Sequence, residues 1–392
     1  MSRGLQICFI VWRFPLFSES DIVGGAERQL QKLSFELGSK NHKVTIISSR
    51  RSKEPFYQRP HKNIGIVRVP TTALPILSMI LFMMILPLIL IRLHFRDKFD
   101  VIHIPLPDLF IIPIHLVSRL LRIPIITRVA ADELDQSYSH GLWSIIRNLI
   151  KAIILKADGI QTLNPKAYAD ALRFGKPDDQ VFLVPNGVRV PEQERDYAEI
   201  YNRIIYVGAM RYYPNKLRLE QKNLLYLIDA FKEMLKDLPD MTLVMVGDGN
   251  YRKKLEEYVR EAGLQTKVAF TGFQLDIWSY LLEADILVNP SHFEGMPNVV
   301  VEAMAAGVYV ICSDIPEHRY LVGNNEFGQL VNTSDSRNLA REVIRFYRDP
   351  TPYTVTAKRG RNKIKLHFSL SLMTERTLQM YKKVIRECYH IT

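Results

Sequence analysis

A chain of 392 residues is long enough for two domains at roughly 150 residues each, and its 47% apolar and 24% charged content excludes disordered and fibrous classes. The three cysteines, Cys8, Cys312 and Cys388, form no C-x-x-C pair, which excludes a disulfide framework and a thiolate metal site and points to a reducing, cytosolic compartment. The net charge of +11 is uneven: residues 1–190 hold 25 Lys and Arg against 15 Asp and Glu, net +10, and residues 191–392 hold 27 against 26, net +1. A basic first half calls for an anionic partner. No nucleic-acid-binding motif or aromatic–basic interleaving accompanies it, so nucleic acid is set aside in favour of anionic lipid headgroups or phosphorylated acceptors.

In chain order, residues 5–12 are a short apolar run with no cleavage site behind it, a strand rather than a signal peptide. Strands are predicted at 7–11, 44–48, 101–104, 123–129, 159–162 and 181–184, with a helix at 26–37 stopped by Gly38. Residues 69–91 carry no charge and are long enough to span a bilayer. They fall between strands 44–48 and 101–104 of one parallel sheet, and a spanning helix would separate those strands across a membrane. Two readings stand: a buried crossover helix broken near Pro87, or a helix at 74–91 lying in a membrane surface with Arg68, Arg92 and Arg96 against headgroups.

Pro185-Asn186-Gly187-Val188 and the polar stretch after it mark a boundary. A second series follows, with strands at 204–207, 243–246, 268–270, 286–289 and 308–312 and helices at 224–235, 251–262, 277–283 and 298–306. The alternation predicts an α/β protein of two doubly wound Rossmann-like domains, 1–190 and 198–370, facing a central cleft, with a C-terminal helix at 371–392 packing back on the first domain.

The chemistry gathers in loops. Arg211, after Gly208 at the end of one strand, and Lys222, at the start of the next helix, are placed to converge on a diphosphate. Gly247, in Val246-Gly247-Asp248-Gly249, is a strand-to-helix turn that permits close approach. In the run 288–307, Pro297 suits the first turn of a helix, so the stretch Gly295, Met296, Pro297 and Asn298 presents the free backbone N–H groups of its non-proline residues with the positive end of the dipole. Glu294 before that helix and Glu302 inside it border one pocket, and carboxylates bind the vicinal hydroxyls of ribose or hexose bidentately. Glu302 stands among Val299, Val300, Val301, Ala303 and Met304, where a carboxylate requires a partner.

These motifs in this order resemble the GT-B-fold, nucleotide-sugar-dependent glycosyltransferases of family four, also called group 1. The resemblance rests on Gly24-Gly25-Ala26-Glu27-Arg28, Asn41-His42-Lys43-Val44, Asp100-Val101-Ile102-His103, Pro185-Asn186-Gly187-Val188 and the E-x7-E pair Glu294 and Glu302. It implies a donor-binding second domain in which Arg211 and Lys222 neutralise the diphosphate, Glu302 holds ribose and Glu294 with residues 295–298 holds the sugar. Gly24 and Gly25 would approach the phosphate, and His103 and Asp132 would line the acceptor side. The implied reaction is metal-independent transfer of a hexose, with retention, from a UDP- or GDP-sugar to a glycan or lipid-linked acceptor in polysaccharide or glycolipid synthesis. The donor is a substrate, no cofactor is implied, and the expected location is the inner face of the cytoplasmic membrane. Two features depart from the family pattern. Ala130 and Ala131 fall where an active-site His is usual, and Lys222 stands about six residues beyond the common spacing, which Lys216 meets. A nucleotide-sugar epimerase and a catalytically impaired scaffold of the same fold remain the alternatives.

Overall fold

In the computed structural model, residues 3–14, 24–50, 54–130, 142–212 and 221–390 are described. The chain divides into two units, Met1–Gly187 with Leu370–Thr392, and Val188–Ser369. The first unit contains β1 (Gln6–Val11), α1 (Gly25–Ser39), β2 (Lys43–Ser49), β3 (Tyr57–His61), β4 (Ile64–Val69), α2 (Pro75–Asp97), β5 (Val101–Ile104), α3 (Ile111–Leu121), β6 (Ile125–Val129), α4 (Leu142–Leu155), β7 (Gly159–Thr162), α5 (Pro165–Arg173) and β8 (Val181–Leu183). Its sheet runs β3-β4-β2-β1-β5-β6-β7-β8, with β3 antiparallel to β4 and the other pairs parallel. The second unit contains β9 (Arg203–Val207), α6 (Leu224–Met234), β10 (Thr242–Val246), α7 (Arg252–Glu261), β11 (Val268–Gly272), α8 (Trp278–Leu282), β12 (Ile286–Asn289), α9 (Asn298–Ala306), β13 (Tyr309–Ser313), α10 (Pro316–Val322), β14 (Gln329–Val331), α11 (Ser336–Arg348) and α12 (Thr351–His367). Its six strands pair in the parallel order β11-β10-β9-β12-β13-β14. The last helix, α13 (Leu370–His390), returns to the first unit.

Period-two alternation decides the faces of the first sheet. In β1, Ile7, Phe9 and Val11 join a core layer with Leu30, Leu33 and Leu37 of α1 and Met373, Met380, Tyr381 and Val384 of α13. Cys8 and Ile10 face the opposite layer, built from α2, α3 and α4. Both surfaces of every central strand are covered, which is why the strands read as continuous apolar runs.

The hairpin β3–β4 and the short β14 were not legible in the sequence. β3 carries Arg59, Pro60 and His61, and a proline is tolerated there because β3 is an edge strand. Helix α2 also corrects an expectation, for it runs unbroken through Pro87. The apolar stripe of Phe82, Leu86, Leu90 and Leu93, buried on both sides of that proline, packs the helix onto the core across the missing hydrogen bond. That stripe is narrow. Ile76, Leu77, Ile80, Met84 and Leu88 remain exposed, so the helix is a crossover on one side and an open apolar surface on the other. Arg68, expected beside headgroups, is instead buried, with Nη1 donating to the Phe14 carbonyl at 2.8 Å and to Ser48 Oγ at 2.5 Å.

Candidate functional site

In the second sheet the strand order reverses between β9 and β12, and doubly wound sheets bind ligands at the carboxyl ends of the strands on either side of such a reversal. The segment leaving β9 is locked to the one leaving β10. Gly208 N donates to the Val246 carbonyl at 2.9 Å and Met210 N to the Asp248 carbonyl at 3.0 Å. Gly247 adopts φ +135°, and a Cβ there would lie 1.9 Å from Gly208 O. Its glycine is therefore required by backbone contact, and the contact fixes the strand end that delivers the exposed Arg211.

Lys222 is placed by a second backbone clasp. His292 N donates to the Gln221 carbonyl at 2.9 Å, and Gln221 Nε2 donates to the Phe293 carbonyl at 3.1 Å. Asn223 next to it takes the left-handed conformation, φ +52°, that turns the chain into α6, a conformation asparagine tolerates better than other L residues. The clasp brings Lys222 Nζ to 2.5 Å from Glu294 Oε1. Ser291 Oγ lies 2.8 Å and Asn289 Nδ2 3.4 Å from the same oxygen. Glu294 is buried; burial alone would raise its pKa, but Lys222 and Ser291 outweigh that and hold it below the ordinary carboxylate range.

Behind Glu294 stands a group the sequence reading missed. His318 in α10 is buried, with Nδ1 2.9 Å from the Ser313 carbonyl and 3.1 Å from Ser313 Oγ, and Ser313 Oγ donates to the Ser291 carbonyl. The available signal was Pro316 opening a helix two residues ahead of it, just past β13, the neighbour of β12 in the sheet. Burial lowers the His318 pKa to about 4. The unfolded chain therefore binds the extra proton first as pH falls from 6.5. The stabilisation from a neutral His318 is complete above that pH and is lost on approaching pH 4, by about 3 kcal/mol. Denaturant unfolding across this range checks it: His318→Gln is expected to flatten the slope.

Pro297 is the residue just ahead of α9, and Gly295, Met296 and Asn298 surround it. The expectation of free N–H groups throughout this stretch is corrected at Asn298, whose N–H donates to the Met296 carbonyl at 2.9 Å. Pro297 carries no N–H, and its carbonyl receives Val300 N at 3.0 Å, so this turn is partly self-satisfied. Glu302 is half-buried, one turn beyond Asn298 on α9.

In the first unit, Gly24 caps α1 and Gly25 opens it. His103 in β5 is fully inside: its Nδ1 lies 2.7 Å from Tyr381 Oη of α13, and Phe9 flanks the ring. A small cavity of about 10 Å³ beside it is lined by Gln29, His103, Arg128, Gln161 and Asn186, among others. His103 is thus held in the α1/α13 layer of the core, with its pKa lowered to about 3 by burial and the nearby Arg128. Asp132, Ala131 and Lys216 lie outside the described residues. Among the described residues, no group of three or more His, Cys, Asp or Glu is placed to hold a metal ion.

Two family models match the chain: Glycosyltransferase Family 4 over residues 23–191 and Glycosyl transferases group 1 over residues 202–363. The chain belongs to the family-four glycosyltransferases of GT-B fold. Among curated relatives of this glycosyltransferase, an uncharacterized glycosyltransferase of Methanocaldococcus jannaschii is 27% identical over 56% of each chain, so the match spans about half of that protein. The Escherichia coli UDP-Gal:alpha-D-GlcNAc-diphosphoundecaprenol alpha-1,3-galactosyltransferase is 24% identical over 74% of this chain and 77% of its own. Among solved structures, Anabaena Alr3699/HepE in complex with UDP-glucose superposes with a TM-score of 0.73 at 17% identity, covering 97% of this chain and 99% of that one.

Proposed function

We propose that this glycosyltransferase moves a hexose from a UDP- or GDP-sugar, with retention and without a metal, to a glycan or lipid-linked acceptor in polysaccharide or glycolipid synthesis. The observation that carries the reading is Lys222 held on Glu294 beside the strand end bearing Arg211, at the switch point of a parallel sheet. Two cations there supply the charge that a departing diphosphate needs, and the sequence has no D-x-D motif to chelate a metal for that purpose. The acceptor hydroxyl approaches the face that the diphosphate leaves, and a donor phosphate oxygen takes its proton. The protein contributes orientation and electrostatic stabilisation. The E. coli relative, whose name specifies a UDP-Gal donor and a diphosphoundecaprenol acceptor, supports a lipid-linked acceptor.

The test is a panel of nucleotide sugars ranked by thermal shift, followed by release of nucleoside diphosphate with and without glycan or lipid-linked acceptors. Release that depends on acceptor supports transfer, and no response to any donor overturns it. Within this site Glu302→Ala is expected to weaken nucleotide sugar and free nucleotide alike, by about 1–3 kcal/mol, because ribose is common to both. Calorimetry showing unchanged affinity would remove Glu302 from the ribose site.

The same reading places the enzyme on the inner face of the cytoplasmic membrane. Helices α2, α3 and α4 lie side by side on the first sheet and expose Ile76, Ile80, Met84 and Leu88, then Leu116 and Leu120, then Ile145 and Leu149. Arg92, Arg96 and Arg122 are exposed around them. An apolar surface rimmed by guanidinium groups fits an anionic bilayer: side chains enter the interface and charges meet headgroups. Phe82 is completely buried, so it belongs to the core and not to this surface. The informative variant is Ile76, Ile80 and Met84 changed to Ser, compared with wild type in flotation with neutral and anionic vesicles. Binding to anionic vesicles that is salt-sensitive and weaker in the variant is expected, and indifference to both vesicle types would remove the membrane from the reading.

A further inference from the structure

Resting on the reading of the second unit as a nucleotide-sugar site, we propose that Glu294, by holding Lys222, makes the site disfavour free nucleoside diphosphate relative to its sugar ester and thereby promotes product release. The carboxylate cannot step aside. Its hydrogen bonds from Lys222, Ser291 and Asn289 all fall on Oε1, and Gln221 ties the backbone beside Lys222 to the loop that carries Glu294. A diphosphate reaching Lys222 must therefore share that cation with a fixed, buried anion. Arg211, on the β9 side, is exposed.

Substrate and product differ in charge at this place. Transfer breaks the bond between the anomeric carbon and the β-phosphate oxygen, the electron pair stays on that oxygen, and the acceptor hydroxyl's proton is taken up there. The new terminal phosphate ionises with a second pKa near 6, so at pH 7.5 the product carries roughly one more negative charge than the donor. Coulomb repulsion from a buried carboxylate is stronger than it would be in water, and it acts on the form with the extra charge. Glu294 remains ionised at that pH because Lys222 offsets its burial. The carboxylate thus has a task besides holding sugar hydroxyls, one that persists after the sugar has left.

The probes are UDP and GDP, their β-methyl diphosphate esters, which lack the terminal charge and carry no sugar, and the monophosphates. Calorimetry on the full chain is expected to show wild type binding the methyl ester at least as tightly as the free diphosphate. Glu294→Gln is expected to shift that ratio about tenfold toward the free diphosphate, to strengthen product inhibition by a similar factor, and to leave monophosphate affinity unchanged. A shift below about twofold in a variant of unchanged Tm overturns the proposal. Should Glu294→Gln not fold, the wild-type comparison decides alone: free diphosphate binding several-fold tighter than its methyl ester overturns it. If wild type binds none of the nucleotides, the donor-site reading itself falls, an outcome distinct from intact binding without discrimination.

Discussion

Lys222→Ala is expected to lower kcat by about 10²- to 10³-fold, the range for removing one preorganised electrostatic group from a site of developing charge. Negative charge on the departing diphosphate peaks in the transition state, so the loss falls on kcat more than on donor affinity. A second effect adds to the first. With Lys222 gone, Glu294 keeps Ser291 and Asn289 but loses its cation, and burial then drives its pKa upward. The pH–rate profile of the variant should therefore gain an acid limb at higher pH than wild type. Lys222→Arg should restore part of the rate, since charge returns without the same geometry. Arg211→Ala should behave like Lys222→Ala in kcat without moving the Glu294 limb, because Arg211 is not among the groups that shift Glu294. Lys216→Ala should be mild. Steady-state kinetics on the four variants checks the set, and a costly Lys216→Ala would transfer the diphosphate role to that residue.

The largest loss of stability is expected at a different place. Asp285→Ala should destabilise the second unit by about 3–5 kcal/mol, the cost of stranding a buried charge. Asp285 and Arg195 are both buried and form an ion pair, with Arg195 Nε also donating to the Ala284 carbonyl at 2.7 Å and Nη2 to the Glu199 carbonyl at 2.8 Å. Asp285 further accepts from Tyr201 N at 3.1 Å, Arg203 N at 2.9 Å and Tyr347 Oη at 2.7 Å. One carboxylate thus ties the segment that opens the second unit to β9, α11 and the start of β12, and removing it leaves the guanidinium and three donors short at once. Tyr347→Phe, which removes one donor and leaves the pair, should cost about 1 kcal/mol. Thermal unfolding of the full chain with hydrogen exchange read at the β9 and β12 amides would measure both. Equal, small effects would mean that water replaces the pair.

Central and edge strands differed in legibility for identifiable reasons. Central parallel strands such as β1, β5, β9 and β12 are apolar on both faces because helices cover both, so they stand out in the sequence. β3 and β14 lie at sheet edges, one with a proline and one only three residues long, and neither carries a comparable pattern. Asn289 and Ser313 end their strands and His318 sits in a short helix, positions that carry no local pattern of their own. Only the adjacency of β12 and β13 turns them into one buried network under Glu294.

The amino-acid sequence alone determined the α/β alternation, the two-part organisation and the ordered motifs of the family, because these depend on periodicities and spacings local to the chain. That His103 shares a sheet face with Phe9 follows from the register of β1 against β5, which pairs the two residues. That this face is closed by Tyr381, that the apolar helix α2 buries one stripe and exposes another, and that Lys222 is held by Glu294 were decided only in three dimensions. Each depends on segments distant in the chain, 278 residues apart for His103 and Tyr381 and 72 for Lys222 and Glu294. Local pattern specifies which residues seek burial or a counter-charge. Which partner supplies it is fixed by strand order and by the return of the last helix.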